Sequence, residues 1–184
     1  SRSNPATYVK AWDEIRKLLA GTTSAKLNGV TAGMFSFNTT GGRCDKCEGS
    51  GTVVIDMQFL ADVEVLCDAC DGRRFGEKVM KVAYKGRNVD AILRMTVDEA
   101  IKFFIDKRAI VRKLDALRSV GLGYLRLGQS TASLSGGEAQ RLKLASFLVG
   151  GDRDFSRRLF LFDEPTTGLH ATDVRQLIRT FRDL

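Results

Sequence analysis

A mixed α/β fold is predicted for this chain, on three observations. The run Leu134-Ser135-Gly136-Gly137-Glu138-Ala139-Gln140-Arg141 places a Ser-Gly-Gly turn at the head of helix-forming sequence. Some twenty residues later, the apolar run Leu159-Phe160-Leu161-Phe162 ends in paired acids, Asp163-Glu164, followed by Pro165-Thr166-Thr167-Gly168. Earlier, Cys44-x-x-Cys47 and Cys67-x-x-Cys70 enclose nineteen residues with the alternation and turn residues of a β-hairpin.

The elements follow in order. Ser3 or Asn4 caps a helix with Pro5 at its first position, running through Trp12, Ile15, Leu18 and Leu19 to Gly21. Residues 21–34, with several glycines and small polar residues, read as a connector. Phe35-Ser36-Phe37 alternates as a short strand. Strands Thr52–Phe59 and Val63–Leu66, with a turn near Ala61-Asp62, join the two cysteine pairs. Lys78–Lys85 reads as another strand. Helical stretches follow at about 88–94, 96–106 and 109–119, the middle one opened by a Thr96/Glu99 capping box. The last elements are a helix over about 135–149, a strand over 159–163 and a helix from about Ala171 onward.

Bulk properties bound the function. The chain has 184 residues, 43% of them hydrophobic, and a formal charge of +7. It lacks an apolar run near the ~20 residues that a membrane span needs. It carries no charged-then-apolar leader, so a cytoplasmic location is expected, and its start without methionine suggests a piece of something longer. The charge is uneven. Residues 41–76 hold four Lys/Arg against seven Asp/Glu, whereas residues 77–158 hold seventeen against nine. Such a basic excess suits a polyanionic partner, with nucleic acid the leading candidate, although a solvated surface would show it too.

Four cysteines in two regular pairs, in a leaderless chain, read as a metal site: Cys44, Cys47, Cys67 and Cys70. Gly49 and Gly72 follow the pairs and let the backbone turn around the sulfurs. Four thiolates suit tetrahedral Zn²⁺; a rubredoxin-like iron site uses the same set, and two redox disulfides fit less well. A structural staple is the minimum role for such a site.

The Ser-Gly-Gly turn is a socket for phosphate oxygens, because unpaired N–H groups and the positive end of the helix dipole converge there. Ser135 Oγ and the N–H groups of Gly136 and Gly137 would meet a γ-phosphate. Asp163 would hold Mg²⁺ and Glu164 would orient and deprotonate a water. The plainer alternative is a capping box at 135–138 and a simple strand exit at 163–165. No Gly-x-x-x-x-Gly-Lys-Ser/Thr is present, so the chain alone is expected not to hydrolyse ATP.

In order and spacing, the two phrases resemble the signature motif and Walker B strand of the ATP-binding-cassette ATPases. The chain is further similar to the C-terminal half of the UvrA family, the ATPase subunits of the bacterial excinuclease. The residues that carry this are Ser3–Tyr8, Phe35–Asn38, Gly41-Gly42-Arg43-Cys44 through Gly51, Phe59-Leu60-x-Asp62-Val63 and Cys67-x-x-Cys70-x-Gly72. Tyr84-Lys85-Gly86, Met95–Ala100, Val120–Tyr124, Leu127-Gly128-Gln129, Leu134–Arg141 and Asp163–His170 continue it.

The resemblance implies a fragment of an ABC-type P-loop ATPase domain with an inserted α+β signature subdomain carrying a Cys₄ zinc hairpin. On that reading residues 1–40 are a helical lead-in, 41–76 the zinc module, 77–130 the helical part of the subdomain and 131–184 the ATPase segment. It implies ATP and Mg²⁺ as ligands of the intact protein, duplex DNA as substrate, a homodimer, and the next excinuclease subunit, UvrB, as partner. It implies that Ser135 and Gly137 serve the nucleotide held by the other nucleotide-binding domain, Asp163 and Glu164 their own. His170 falls in the loop that crosses between the two. DNA contacts are expected at basic positions outside the acidic cysteine module: Lys85, Arg87, Lys107, Arg108, Arg112 and Lys113, with Arg43, Arg73 and Arg74 as local contributors. Ala32-Gly33-Met34, Ala61, Leu161-Phe162 and Gly150–Asp154 depart from the family pattern and leave open a UvrA-like paralogue in damage tolerance or drug resistance. The Cys-x-x-Cys-x-Gly-x-Gly phrase also resembles the zinc repeats of DnaJ chaperones, which would call for four such repeats and no Asp-Glu strand.

Overall fold

Asn4 sets the first helix, α1 (Pro5–Tyr8): its Oδ1 accepts from the Thr7 N–H at 3.0 Å, while the Asn4 N–H donates to the Thr7 hydroxyl at 3.0 Å. In the computed structural model, which describes residues 2–58, 62–149, 161, 163–166 and 171–182, this helix does not run on to Gly21 as the sequence pattern predicts. Lys10 takes a left-handed backbone, φ 58°, and α2 (Ala11–Ala20) begins anew after it. The apolar spacing is continuous across the break, so hydrophobic pattern alone does not show it.

The chain forms two compact units, one from Ser1–Arg2 with Ile15–Ile92, the other from Ser3–Glu14 with Leu93–Leu184. In the first, Thr22 caps α3 (Thr23–Leu27), accepting from the Ala25 N–H, inside what the sequence reads as a connector. Phe35-Ser36-Phe37 is not a strand. A 3₁₀ turn over Ala32–Phe35 precedes it, and both rings are buried, with Phe37 against Phe75 at 5.3 Å between centroids. The cysteine hairpin is present as β1 (Thr52–Ile55) paired antiparallel with β2 (Val63–Leu66), in register from Thr52↔Leu66 to Ile55↔Val63. Its Val54, Ile55, Val63, Val65 and Leu66 side chains are exposed, Leu66 by 72%.

The strand predicted over Lys78–Lys85 is instead α4 (Glu77–Met80), followed by β3 (Ala83–Tyr84). Val79 and Val82 are both buried, a spacing of three that belongs to a helical turn, and Lys81 pairs with Glu77 at 3.2 Å one turn away. β3 turns into β4 (Arg87–Asn88) through Lys85-Gly86, with φ 46° and 74°. Two consecutive positive φ values give the tight turn whose twist matches a hairpin. α5 (Val89–Arg94) starts at once, Asn88 Oδ1 accepting from the Ala91 N–H.

In the second unit the predicted capping box is in place: Thr96 Oγ1 accepts from the Glu99 N–H and Glu99 Oε2 from the Thr96 N–H, opening α6 (Val97–Phe103). α7 (Arg108–Ser119) buries Ile110, Leu114 and Leu117, one face of the helix, and packs between α6 and α8 (Gly136–Val149). A final helix, α9 (Ala171–Arg182), also touches α7. The segment before α8 is pinned by backbone bonds: Leu127 N–H to the Met95 carbonyl at 2.9 Å and Gly128 N–H to the Leu93 carbonyl at 2.8 Å. The strand predicted over 159–163 falls mostly outside the described residues, as does His170. Among the described residues no helix is long and apolar enough to cross a membrane.

Candidate metal centre and phosphate-binding turn

The hairpin folds the second cysteine pair onto the first. All four Sγ atoms lie within 4.8 Å of one another and all four residues are buried. Cys44 and Cys67 sulfurs are 3.9 Å apart, and those of Cys47 and Cys70 are 3.7 Å apart. A disulfide would require ~2.05 Å. Four sulfurs around one ion at ~2.3 Å are separated by about 3.8 Å in a regular tetrahedron. The spacing therefore fits a shared metal ion and excludes bonded pairs in this conformation. The donor set fits zinc, and iron equally by geometry.

Backbone geometry makes the pocket. Gly51, at φ 84°, aims its N–H at Cys47 Sγ at 3.3 Å, and Cys44 N–H donates to the Arg74 carbonyl at 2.8 Å. A Cβ on Gly51 would stand 2.9 Å from the Gly72 carbonyl and 3.1 Å from Arg74 Cγ. The glycine thus leaves room for the Arg74 side chain, whose guanidinium lies 5.8 Å from the Phe37 ring centroid. Burial holds the Arg74 pKa below its ordinary value, and the neighbouring Cys47, Asp90 and Cys70 act in the opposite direction.

The sulfurs differ in proton affinity. Burial pushes the Cys47 thiol up, but the N–H groups of Gly51 and Gly49 together with the Cys70 and Cys44 thiols outweigh it and bring the value down to about 7. Burial raises Cys70 to about 12, the Arg74 N–H opposing and the neighbouring thiols adding to it. Cys44 is raised by burial as well. For the raised Cys44 and Cys70 thiols, a shared divalent cation would replace the protons with one charge and relieve that cost.

At the Ser-Gly-Gly turn, Ser135 caps α8. Its N–H donates to Glu138 Oε2 at 2.7 Å, and Glu138 N–H donates to Ser135 Oγ at 3.3 Å. Ser135 and Gly136 are exposed and Gly137 half-buried, so the head of the helix is open to solvent. Among the described residues a Cβ on Gly136 would meet nothing within 4 Å, so their packing does not demand a glycine there. Close approach of a ligand to the backbone supplies such a demand. The phenol of Tyr124 donates to Glu138 Oε1. Burial would raise the Glu138 carboxyl, but the bonds from Tyr124 and Ser135 and the nearby Arg141 hold it below its ordinary value.

Asp163 and Glu164 are both exposed, Glu164 with a left-handed backbone at φ 44°. The next residue is fixed by Arg141, which is 1% exposed and whose Nη1 donates to the Pro165 carbonyl at 2.8 Å. Neither Arg141 nor Tyr124 stands out in the sequence as a site residue. The signal for Arg141 was its position three residues after Glu138, on the same helix face.

The basic residues singled out by sequence are spread over both units. Lys85 and Arg87 flank the β3–β4 turn, with Lys85 Nζ 5.4 Å from the Tyr84 ring centroid. Arg108 and Arg112 are exposed one turn apart on α7. Lys107 pairs with Asp106 at 3.2 Å. Lys113 has a side chain 15% exposed and committed to Glu14 at 3.0 Å and to the Lys10 carbonyl at 3.1 Å.

The chain is 52% identical over 183 residues to UvrABC system protein A of Clostridium acetobutylicum and 51% identical over the same length to that of Aquifex aeolicus, covering 100% of the chain in each case. The chain is a segment of the UvrA family. It spans about a fifth of the length of these UvrA relatives, 19% and 20% respectively. The crystal structure of UvrA2 from Deinococcus radiodurans matches 98% of the chain and 22% of its own, with a TM-score of 0.87 and 50% identity. No family model matches the chain. The UvrA likeness thus covers both the cysteine module and the Ser135 turn, and the mixed helix-and-sheet architecture is common to the chain and the UvrA2 structure.

Proposed function

We propose that this UvrA segment belongs to an ATP-hydrolysing, DNA-binding subunit that recognises damaged duplex DNA in nucleotide excision repair. The observation that carries the reading is identity of about half over the whole chain to UvrABC system protein A. In the intact protein Ser135 and the Gly136 and Gly137 N–H groups bind phosphate oxygens, Asp163 holds Mg²⁺ and Glu164 takes the proton of the attacking water. Mg²⁺–ATP supplies the transferable phosphoryl group when bound. Residues 131–184 are the ATPase segment and 1–130 the inserted signature subdomain, with His170 in the loop that crosses to the second nucleotide-binding domain of a homodimer. Zn²⁺ is the ion for the four cysteines, as a staple for a hairpin with little core of its own. DNA meets the exposed cations, Lys85, Arg87, Arg108 and Arg112 before the partly engaged Lys107 and Lys113, and UvrB is the partner that follows. The work is cytoplasmic. The 184-residue chain alone does not turn over ATP, since it holds no phosphate-cradling Gly-Lys loop.

The test is the ATPase rate of the intact protein with undamaged and lesion-bearing duplexes. E164Q is expected to lower turnover by at least about a hundredfold while leaving DNA binding in place. Full turnover in E164Q, or identical response to both duplexes, refutes the reading. The match to a UvrA2 structure favours a second reading, a UvrA-like paralogue. Expression of the intact gene in a UvrA-deficient bacterium separates the two: the main repair subunit restores survival after ultraviolet irradiation and a paralogue does not.

A further inference from the structure

A guanidinium that is 1% exposed needs close partners, because desolvating an ion costs several kcal/mol unless hydrogen bonds and opposite charge offset it. Arg141 has partners of both kinds. Its Nη1 donates to the Pro165 carbonyl, and its charge acts on the Glu138 carboxylate and on the Tyr124 phenol that binds that carboxylate. Glu138 in turn accepts from the Ser135 N–H. An unbroken set of contacts therefore runs from the Ser-Gly-Gly turn to the carbonyl of Pro165, the residue after Glu164.

The residue next to the far end of this set has a strained backbone. Glu164 stands at φ 44°, a region that costs a non-glycine residue on the order of 1 kcal/mol or more and persists only where surroundings enforce it. The bond to the Pro165 carbonyl is such an enforcement, anchored on a helix rather than on a neighbouring loop. Resting on the ATPase reading above, we propose that Arg141 is a positioning residue that holds Glu164 for water activation and ties its placement to the state of the phosphate-binding turn. Arg141 itself touches no nucleotide in this scheme. Its loss should therefore lower kcat and kcat/KM together and leave KM for ATP in place, since misplacing a base by about 1 Å can cost a hundredfold in rate.

The experiment uses the intact protein. R141M is expected to lower kcat roughly ten- to a hundredfold with KM within about twofold of wild type. R141K retains the charge and one donor and is expected to recover most of that loss. In an E164Q background R141M should lower the residual single-turnover rate by less than about twofold, because the group it positions is already gone. A merely structural arginine would reduce the rate as much in E164Q as in wild type. That outcome, or R141M with wild-type kcat, overturns the proposal. If R141M does not fold, R141K decides: a small fall in kcat at constant KM that vanishes in E164Q supports it, and a rise in KM at constant kcat overturns it. Should E164Q itself turn over normally, the ATPase reading fails, and the result is recognisably different from a failure of Arg141.

Discussion

The cysteine cluster and the Ser135 turn are built on opposite terms. The first is closed upon itself: four buried sulfurs within 4.8 Å, supplied by 27 residues of chain, with their N–H donors and a stacked arginine all from the same unit. The second is open: a helix head exposed to solvent, a glycine whose added Cβ would meet no described residue within 4 Å, and two exposed carboxylates. One brings all four sulfurs together within a single unit, so its residues should be bound to stability. On the proposed reading the other is half a site, and its exposed residues should be changeable with little effect on the fold. Stability and function should thus separate along the chain, and mutations can show whether they do.

The largest effect is expected at the sulfurs. C70S, or removal of the ion with a strong chelator, should unfold the 41–76 module, since structural zinc sites contribute on the order of 10 kcal/mol or more to small domains. Metal content by elemental analysis should fall from one ion per chain to near zero, with loss of amide protection over 44–75. A C70S chain that keeps its ion and its protection would erase the contrast. Next, R74M removes the cation beside Cys47 and Cys70 and should speed metal loss to a chelator by roughly tenfold, with R74K between the two. Equal release rates would show that Arg74 only packs.

At the open site the expected effects on stability are smaller. E138A removes half of the capping box and should cost about 1 kcal/mol in a denaturant titration. The pH dependence has a definite sign. The folded Glu138 carboxyl lies below its usual 4.5, so its contribution is fully present above that value and is lost as pH falls through the folded pKa. Wild type and E138Q should therefore converge in stability in acid and differ near neutrality. The smallest change should come from G136A. Its Cβ enters open space at a helix start, so stability should move by less than about 1 kcal/mol. Phosphate binding by the intact protein should nonetheless be lost. A G136A protein that binds ATP normally would mean that the glycine serves neither the fold nor the ligand.

The same division governs what could be read from sequence. The cysteine hairpin, the Thr96/Glu99 box and the start of α8 were legible because each is encoded by neighbours in the chain: ligand spacing, a cap and its partner three residues on. The break at Lys10 was not legible, since a lysine carries no mark of a left-handed backbone. Nor was the α4 turn, where Val79 and Val82 also suit a strand until burial shows that they share a side. Arg141 and Tyr124 escaped for a related reason. Pro165 lies twenty-four residues from Arg141 and Glu138 fourteen from Tyr124, and only the folded chain brings these pairs together.

The β1–β2 ribbon has a consequence for handling the protein. Two short strands, whose outer edges pair with no strand among the described residues, carry a row of solvent-facing valines, isoleucine and leucine and are held at their base by the four sulfurs. Released from that clasp, they would offer a template for cross-strand growth between molecules. Oxidation or removal of a bound ion should then register as turbidity in the tube.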